Sequence, residues 1–163
     1  NLQAAAREAR RALLAVWASR TGIDAVLLAH TRDDEAETFL MRLARGSGVD
    51  GLAAMPNDWR ERGHRWMRPL MTESRADLRA YLRRHGHVWV EDPSNDDEGF
   101  QRVRARKALA TLEPLGIDAR RVSRTRFLLS WASDALAFFA TREAARIATE
   151  QGGDVLFAYD DLY

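Results

Sequence analysis

The sequence predicts an α/β domain with a mostly parallel sheet between helices in three layers, lacking its first strand and followed by a helical segment. Three observations predict it. Over residues 1–98 the elements alternate helix, strand, helix, strand, helix, strand, the pattern of a parallel sheet. AVLLAH (25–30) is a nearly continuous apolar run, the mark of a strand buried on both faces. From Phe100 onward the chain changes to amphipathic helical patterning, so 1–98 and 99–163 are expected to form two units. Doubly wound domains normally begin on a strand and this chain begins on a helix, so a segment upstream of Asn1 is expected.

Residues 2–20 place Leu2, Ala5, Ala9, Leu13 and Val16/Trp17 at helical spacing, with Arg7, Arg10 and Arg11 outside and Gly22 as the stop. A helix is predicted from Asp33 to Arg45, then a loop at GSGVDG (46–51) and an irregular stretch from Pro56 to about Arg62. HRWMRPL (64–70) reads as a strand, and Ser74 caps a helix with Asp77 three residues on. HVWVED (87–92) reads as another strand and PSND as the turn after it. QRVRARKALATLEPL is a helix broken at Pro114, residues 117–151 form one long helix, and VLFAY (155–159) is a strand without an obvious partner. Trp131, Phe138 and Phe139 are expected in the core.

At 163 residues and 46% hydrophobic, the chain is long enough to bury a core without staples. It has no cysteine, which excludes a disulfide framework and a thiolate metal site. The four histidines (His30, His64, His85, His87) show no metal-ligand spacing. No apolar run approaches the roughly 18 residues of a membrane span, so no membrane partner is expected. The net charge is +1, and Lys107 is the only lysine, the other basic side chains being arginine. Arginine suits phosphate and planar groups, and high-GC coding bias yields the same replacement.

On the helix after His30, the helical period puts Asp34, Glu37, Thr38, Met41 and Arg45 on one face, with Ala36, Phe39, Leu40 and Leu43 opposite. Two carboxylates and an imidazole at a strand–helix junction suit Mg²⁺ binding or general-base work. They equally suit a first turn that sets acids against the helix dipole, and both readings stand open at this point. RGSGVDGL (45–52) offers backbone N–H groups to phosphate but lacks GxGxxG and the Walker lysine pattern. Two basic runs, Arg102, Arg104, Arg106 and Lys107, then Arg120, Arg121, Arg124 and Arg126, favour a polyanion over a merely solvated face.

These blocks taken together resemble a known family. AHTRDDEAETFLMRLARGSGVDGLAAM (29–55), RPLM-x-x-SRADLRAYL (68–82), WVEDPSN (89–95) and F-x-R-x-R-x-R (100–106) look like the tRNA(Ile)-lysidine synthetases. Their order and spacing match over about residues 1–110. The resemblance implies an N-type ATP pyrophosphatase (PP-loop, Rossmann-like) fold, ATP and Mg²⁺ as cofactors, and a cytoplasmic enzyme. ATP adenylates the C2 carbonyl oxygen of the wobble cytidine of an isoleucine tRNA, and free lysine then displaces AMP. It further implies His30, Asp34, Glu37 and Arg104 as catalytic residues, and Arg42, Arg45, Arg102, Arg106 and Lys107 as contacts to tRNA or substrate. The partners are tRNA and lysine, with a homodimer left open.

The sequence departs from the family at Thr31, where a second histidine is usual, at Arg11 (tyrosine) and at Val103 (asparagine). The family's SGGxDS-type ATP loop is absent, so the chain is expected to be a fragment that does not adenylate tRNA alone. Two rivals remain: another tRNA-modifying enzyme of the superfamily, which commonly needs cysteines, and a non-enzymatic RNA-binding module.

Overall fold

Three short strands form the sheet on which the first helix rests, and a computed structural model describes residues 2–158. Helix α1 (Leu2–Thr21) leads into β1 (Ala25–Leu27), followed by α2 (Arg32–Leu43) and the short α3 (Val49–Ala53). A hairpin of β2 (Asp58–Glu61) and β3 (His64–Met67) precedes α4 (Arg75–Arg84). Then come α5 (Gln101–Leu112), the long α6 (Ala119–Ile147) and a second hairpin, β4 (Ala148–Gln151) with β5 (Asp154–Phe157).

The sheet order is β1-β3-β2, with β1 parallel and β2 antiparallel to β3. It is therefore a small mixed sheet, where the sequence predicts a mostly parallel one. Its antiparallel strand lies in the stretch expected to be irregular. Arg62 and Gly63 have φ of 53° and 80°, the mirror-image turn that joins twisted strands through two residues. The ERGH sequence carried that signal. Likewise β5 does have a partner, because α6 ends at Ile147 and β4 folds back through Gly152–Gly153, both at positive φ. Tyr159, assigned to that last strand, lies outside the described residues.

Strand β1 is shorter and less enclosed than its composition implies. Val26 is buried, but Leu27 is exposed at the sheet's edge. Ala15 and Ala18 of α1 pack on Val26 and Trp66, the latter fully buried in the central strand. Small alanines let helix and sheet approach closely, and this turns Leu13, Val16 and Trp17 outward, opposite to expectation. Residues 87–92 form no strand. Val88 and Val90 alternate as a half-buried strand would, yet they are 94% and 93% exposed, and no strand among the described residues pairs with that backbone.

A second core joins Ala36 and Phe39 of α2 to Leu109 of α5 and Val122 of α6. The predicted apolar face of α2 supplies it, except for Leu43, which is exposed. Trp131, Phe138 and Phe139, expected in the core, lie on the exposed side of α6. Beside this core Glu35, only 2% exposed, pairs with Arg126, whose Nη1 also donates to the Ala53 carbonyl.

Burial pushes the Glu35 carboxyl above its ordinary 4.5, against hydrogen bonds from Ser123 and Arg126. Removing one partner of a buried pair leaves the other charge uncompensated. Arg126→Met should therefore cost about 3–5 kcal/mol at neutral pH in denaturant unfolding. A raised folded pKa favours the folded state at low pH, so this deficit should shrink as pH falls towards 4.5 and Glu35 takes a proton.

Candidate active site

The chain passes from β1 through Leu28–His30 into α2, and the turn is fastened by a reciprocal cap. Thr31 Oγ1 accepts from Asp34 N, while Asp34 Oδ2 accepts from Thr31 N and Thr31 Oγ1, both at 2.8 Å. This leaves Asp34 Oδ1 and, one turn on, the fully buried Glu37 facing the same space.

Three arginines from two other helices fill that space. Arg75, at the start of α4, donates Nη2 to Asp34 Oδ1 and Nη1 to Glu37 Oε1, each at 2.7 Å. Its backbone N–H reaches Asp33 Oδ2 at 2.8 Å, which ties the starts of α2 and α4 together. From α5, Arg102 Nη1 lies 3.2 Å from Asp34 Oδ1, and Arg106 Nε donates to Glu37 Oε1 at 2.9 Å. Glu37 Oε2 is buried, 3.7 Å from Arg102 Nε, and accepts no hydrogen bond among the described residues.

Burial alone would raise the Asp34 carboxyl. The Thr31 backbone N–H and the Arg75 guanidinium outweigh it and hold the group below its ordinary 3.8. The same acids raise Arg75 against its own burial.

Beside the cluster lies a cavity of about 480 Å³, walled by Arg7, Arg10 and Arg11 of α1, by His30 and Arg68, and by Arg102 and Arg106. Leu14, Leu28 and Phe100 add apolar surface. Burial, then repulsion from the other arginines, lowers Arg7 and Arg68. His30 Nδ1 accepts from Arg68 Nε at 3.2 Å, and burial followed by the Arg68 charge pushes the imidazole below 6.5. Both causes favour the uncharged ring. The arginines lining the cavity outnumber the acids that pair with them, and such an excess of cation favours an anion.

Of the residues singled out in the sequence, His30, Asp34, Glu37, Arg102 and Arg106 come together here. Arg104 is turned away, donating Nη1 to the carbonyls of Glu98 (2.5 Å) and Gly99 (3.2 Å). Helical geometry accounts for this, since 102 and 106 share a face that 104 cannot. Arg42 holds the Gly51 carbonyl at 2.8 Å, Arg45 bonds Gln101 and Lys107 pairs with Glu98. In the second basic run Arg126 is buried on Glu35, while Arg120, Arg121 and Arg124 are exposed. Sequence reasoning missed Arg75, Arg68 and the α1 arginines. Arg75 follows a helix cap, where an arginine passes for a surface residue.

A strand–turn–helix junction bearing an acid pair beside a cationic cavity is the place where open α/β domains keep their ligand sites. A family model described as the PP-loop domain matches residues 1–113, and the chain belongs to that family. It is similar to curated tRNA(Ile)-lysidine synthases. That of Ruegeria pomeroyi is 48% identical over 159 residues, 96% of this chain and 37% of the relative. That of a Bradyrhizobium strain is 42% identical over 158 residues, 92% of this chain and 44% of the relative. That of Pseudomonas syringae pv. tomato reaches 52% over 104 residues, 63% of this chain and 22% of the relative. The chain thus spans less than half the length of each of these relatives.

Arg75→Met removes two charge-assisted hydrogen bonds and should cost about 1.5–3 kcal/mol at neutral pH by thermal unfolding. A depressed folded pKa gives stability above 3.8 that is lost as pH falls through the folded value. The variant lacks part of that gain, so its stability curve should converge with wild type in acid.

Proposed function

We propose that the domain serves lysidine formation on isoleucine tRNA, with Asp34 and Glu37 receiving the incoming lysine. The observation that carries this is Glu37 Oε2, a buried carboxylate oxygen left without a hydrogen bond inside a cluster that opens on a cationic cavity. An alkylammonium brings three donors on a flexible stem, which suits such an acceptor. Glu37 Oε2 holds the ε-ammonium and takes its proton, with Asp34 adjoining and sharing Arg75, because the free amine is the nucleophile. The similarity to the tRNA(Ile)-lysidine synthases supports the same reading.

The cavity arginines suit the phosphates of ATP and of the adenylated cytidine. Arg102 and Arg106 reach both the cavity and the acid pair, so they are placed to neutralise the phosphate that departs with AMP. His30, oriented by Arg68, lines the wall where the cytidine ring is expected. Mg²⁺, which the family resemblance implies, is commonly held by one or two carboxylates together with the phosphates of its nucleotide. Asp34 and Glu37 are engaged by guanidiniums, and no group of three or more acidic or histidine side chains converges among the described residues. Residues 99–163 present the exposed Arg120, Arg121 and Arg124 and are proposed as a tRNA-facing unit, where such cations add affinity rather than sequence reading.

In the full-length gene product, nucleoside mass spectrometry should detect lysidine only when ATP, lysine and isoleucine tRNA are all supplied. Glu37→Gln keeps the shape but loses the charge, and should lower lysidine formation by roughly 100-fold or more. Its affinity for tRNA should remain within about threefold of wild type, since phosphate contacts set that affinity. An equal loss of both would make Glu37 a purely structural acid.

A further inference from the structure

The exposed end of α4 is not used by the site just described. Arg75, Arg79 and Arg83 stand at i, i+4 and i+8, one row on one face, each about 6 Å further along the axis. The row begins at the acid cluster, where Arg75 holds Asp34 and Glu37. It ends at Trp89, whose ring centroid lies 5.5 Å from Arg79 Cζ and 5.8 Å from Arg83 Cζ. Glu91 fastens the arrangement by accepting from Arg79 Nη2 and Trp89 Nε1. A cavity of about 560 Å³ adjoins the row, its arginines Arg75, Arg79 and Arg106 facing the acids Glu91, Asp92 and Asp96, so the uncompensated cations of the surface are Arg83 and Arg84 at the far end of α4. Arg106 also lines the cationic cavity, so the row is continuous with the site.

We propose that this arginine row and Trp89 form an RNA track, which seats the nucleotides flanking the base that enters the site. The proposal rests on the tRNA reading above and assigns it a surface. No carboxylate pairs with Arg83 or Arg84 among the described residues. Arg84 lies instead 5.7 Å from the Tyr81 ring. A helix C-terminus favours cations by itself, but that does not account for a segment outside any strand or helix holding a tryptophan beside them. Guanidiniums interleaved with aromatic rings suit a single strand, whose phosphates meet the cations and whose bases stack on the rings. An acidic peptide would satisfy the charges and leave the rings unused.

The full chain is titrated into a fluorescein-labelled anticodon stem-loop of isoleucine tRNA, with fluorescence anisotropy as the readout. Arg83→Glu and Trp89→Ala should each weaken binding by roughly tenfold, the scale of one lost stacking or phosphate contact. Arg83→Ala should lower the salt-dependence slope by about 1. Both substituted side chains lie outside the two core clusters, so circular dichroism and thermal midpoint should stay at wild-type values. Wild-type affinity in both Arg83→Glu and Trp89→Ala would overturn the track and leave the tRNA reading standing. Failure of the wild-type chain to bind would overturn the tRNA reading, and the track with it. Displacement of the RNA by polyglutamate at equal charge would mark a general anion surface and overturn the track.

Discussion

The structure turns on the burial of one carboxylate. Glu37 has no exposure, and an isolated charge in that position would cost several kcal/mol of desolvation. It is tolerated because Arg75 and Arg106 hydrogen-bond it and Arg102 stands beside it. Those guanidiniums come from α4 and α5, elements far apart in sequence that otherwise meet α2 in different ways. The apolar cluster of Ala36, Phe39, Leu109 and Val122 holds α5 and α6 against α2. Nothing comparable holds α4, which has no buried residue of its own. Its anchorage to α2 is polar: Arg75 on the two acids and on Asp33, together with Arg32 donating to the Thr72 carbonyl.

The same cluster sets the electrostatics of the neighbouring cavity. Two acids share three arginines there, so positive charge is left over, and Arg7, Arg10, Arg11 and Arg68 add more. Of these, Arg11 is paired with Glu61, and Arg68 rests on the Trp59 ring at 4.2 Å and on the Pro56 carbonyl. Burial and mutual repulsion lower Arg7 and Arg68, so an anion entering the cavity relieves a strain already present in the fold. Glu37 Oε2, by contrast, is a buried acid oxygen without a hydrogen bond among the described residues, the acceptor proposed above for an ammonium. In the proposed reading, Arg102 and Arg106 stand between the cationic cavity and the acid pair.

Much of this was legible in the sequence where a local rule decides the outcome. Thr31 and Ser74 each cap a helix with an aspartate three residues on, and both caps are formed. The helical period put Asp34 and Glu37 together, and those two residues organise the site. The same period, applied to Arg102, Arg104 and Arg106, separates the middle arginine from its neighbours. What stayed illegible depends on partners that periodicity cannot supply. Residues 87–92 alternate as a strand does but meet no sheet edge among the described residues, and Trp89 lies beside arginines instead. Trp131, Phe138 and Phe139 look like core residues, yet α6 extends past the surface that α2 and α3 offer it. Arg75 and the α1 arginines have no local signature, because their acids or cavity lie on other elements.

The account makes Glu37 and the guanidiniums one ionic unit, and a double-mutant cycle between Glu37→Gln and Arg75→Met measures that directly. Thermal unfolding of wild type, both single variants and the double variant gives the coupling. Contacting charged residues typically interact by about 0.5–3 kcal/mol, so the loss in the double variant should fall short of the sum of the singles by more than about 0.5 kcal/mol. Losses that add to within about 0.3–0.5 kcal/mol would show independent residues and contradict the account.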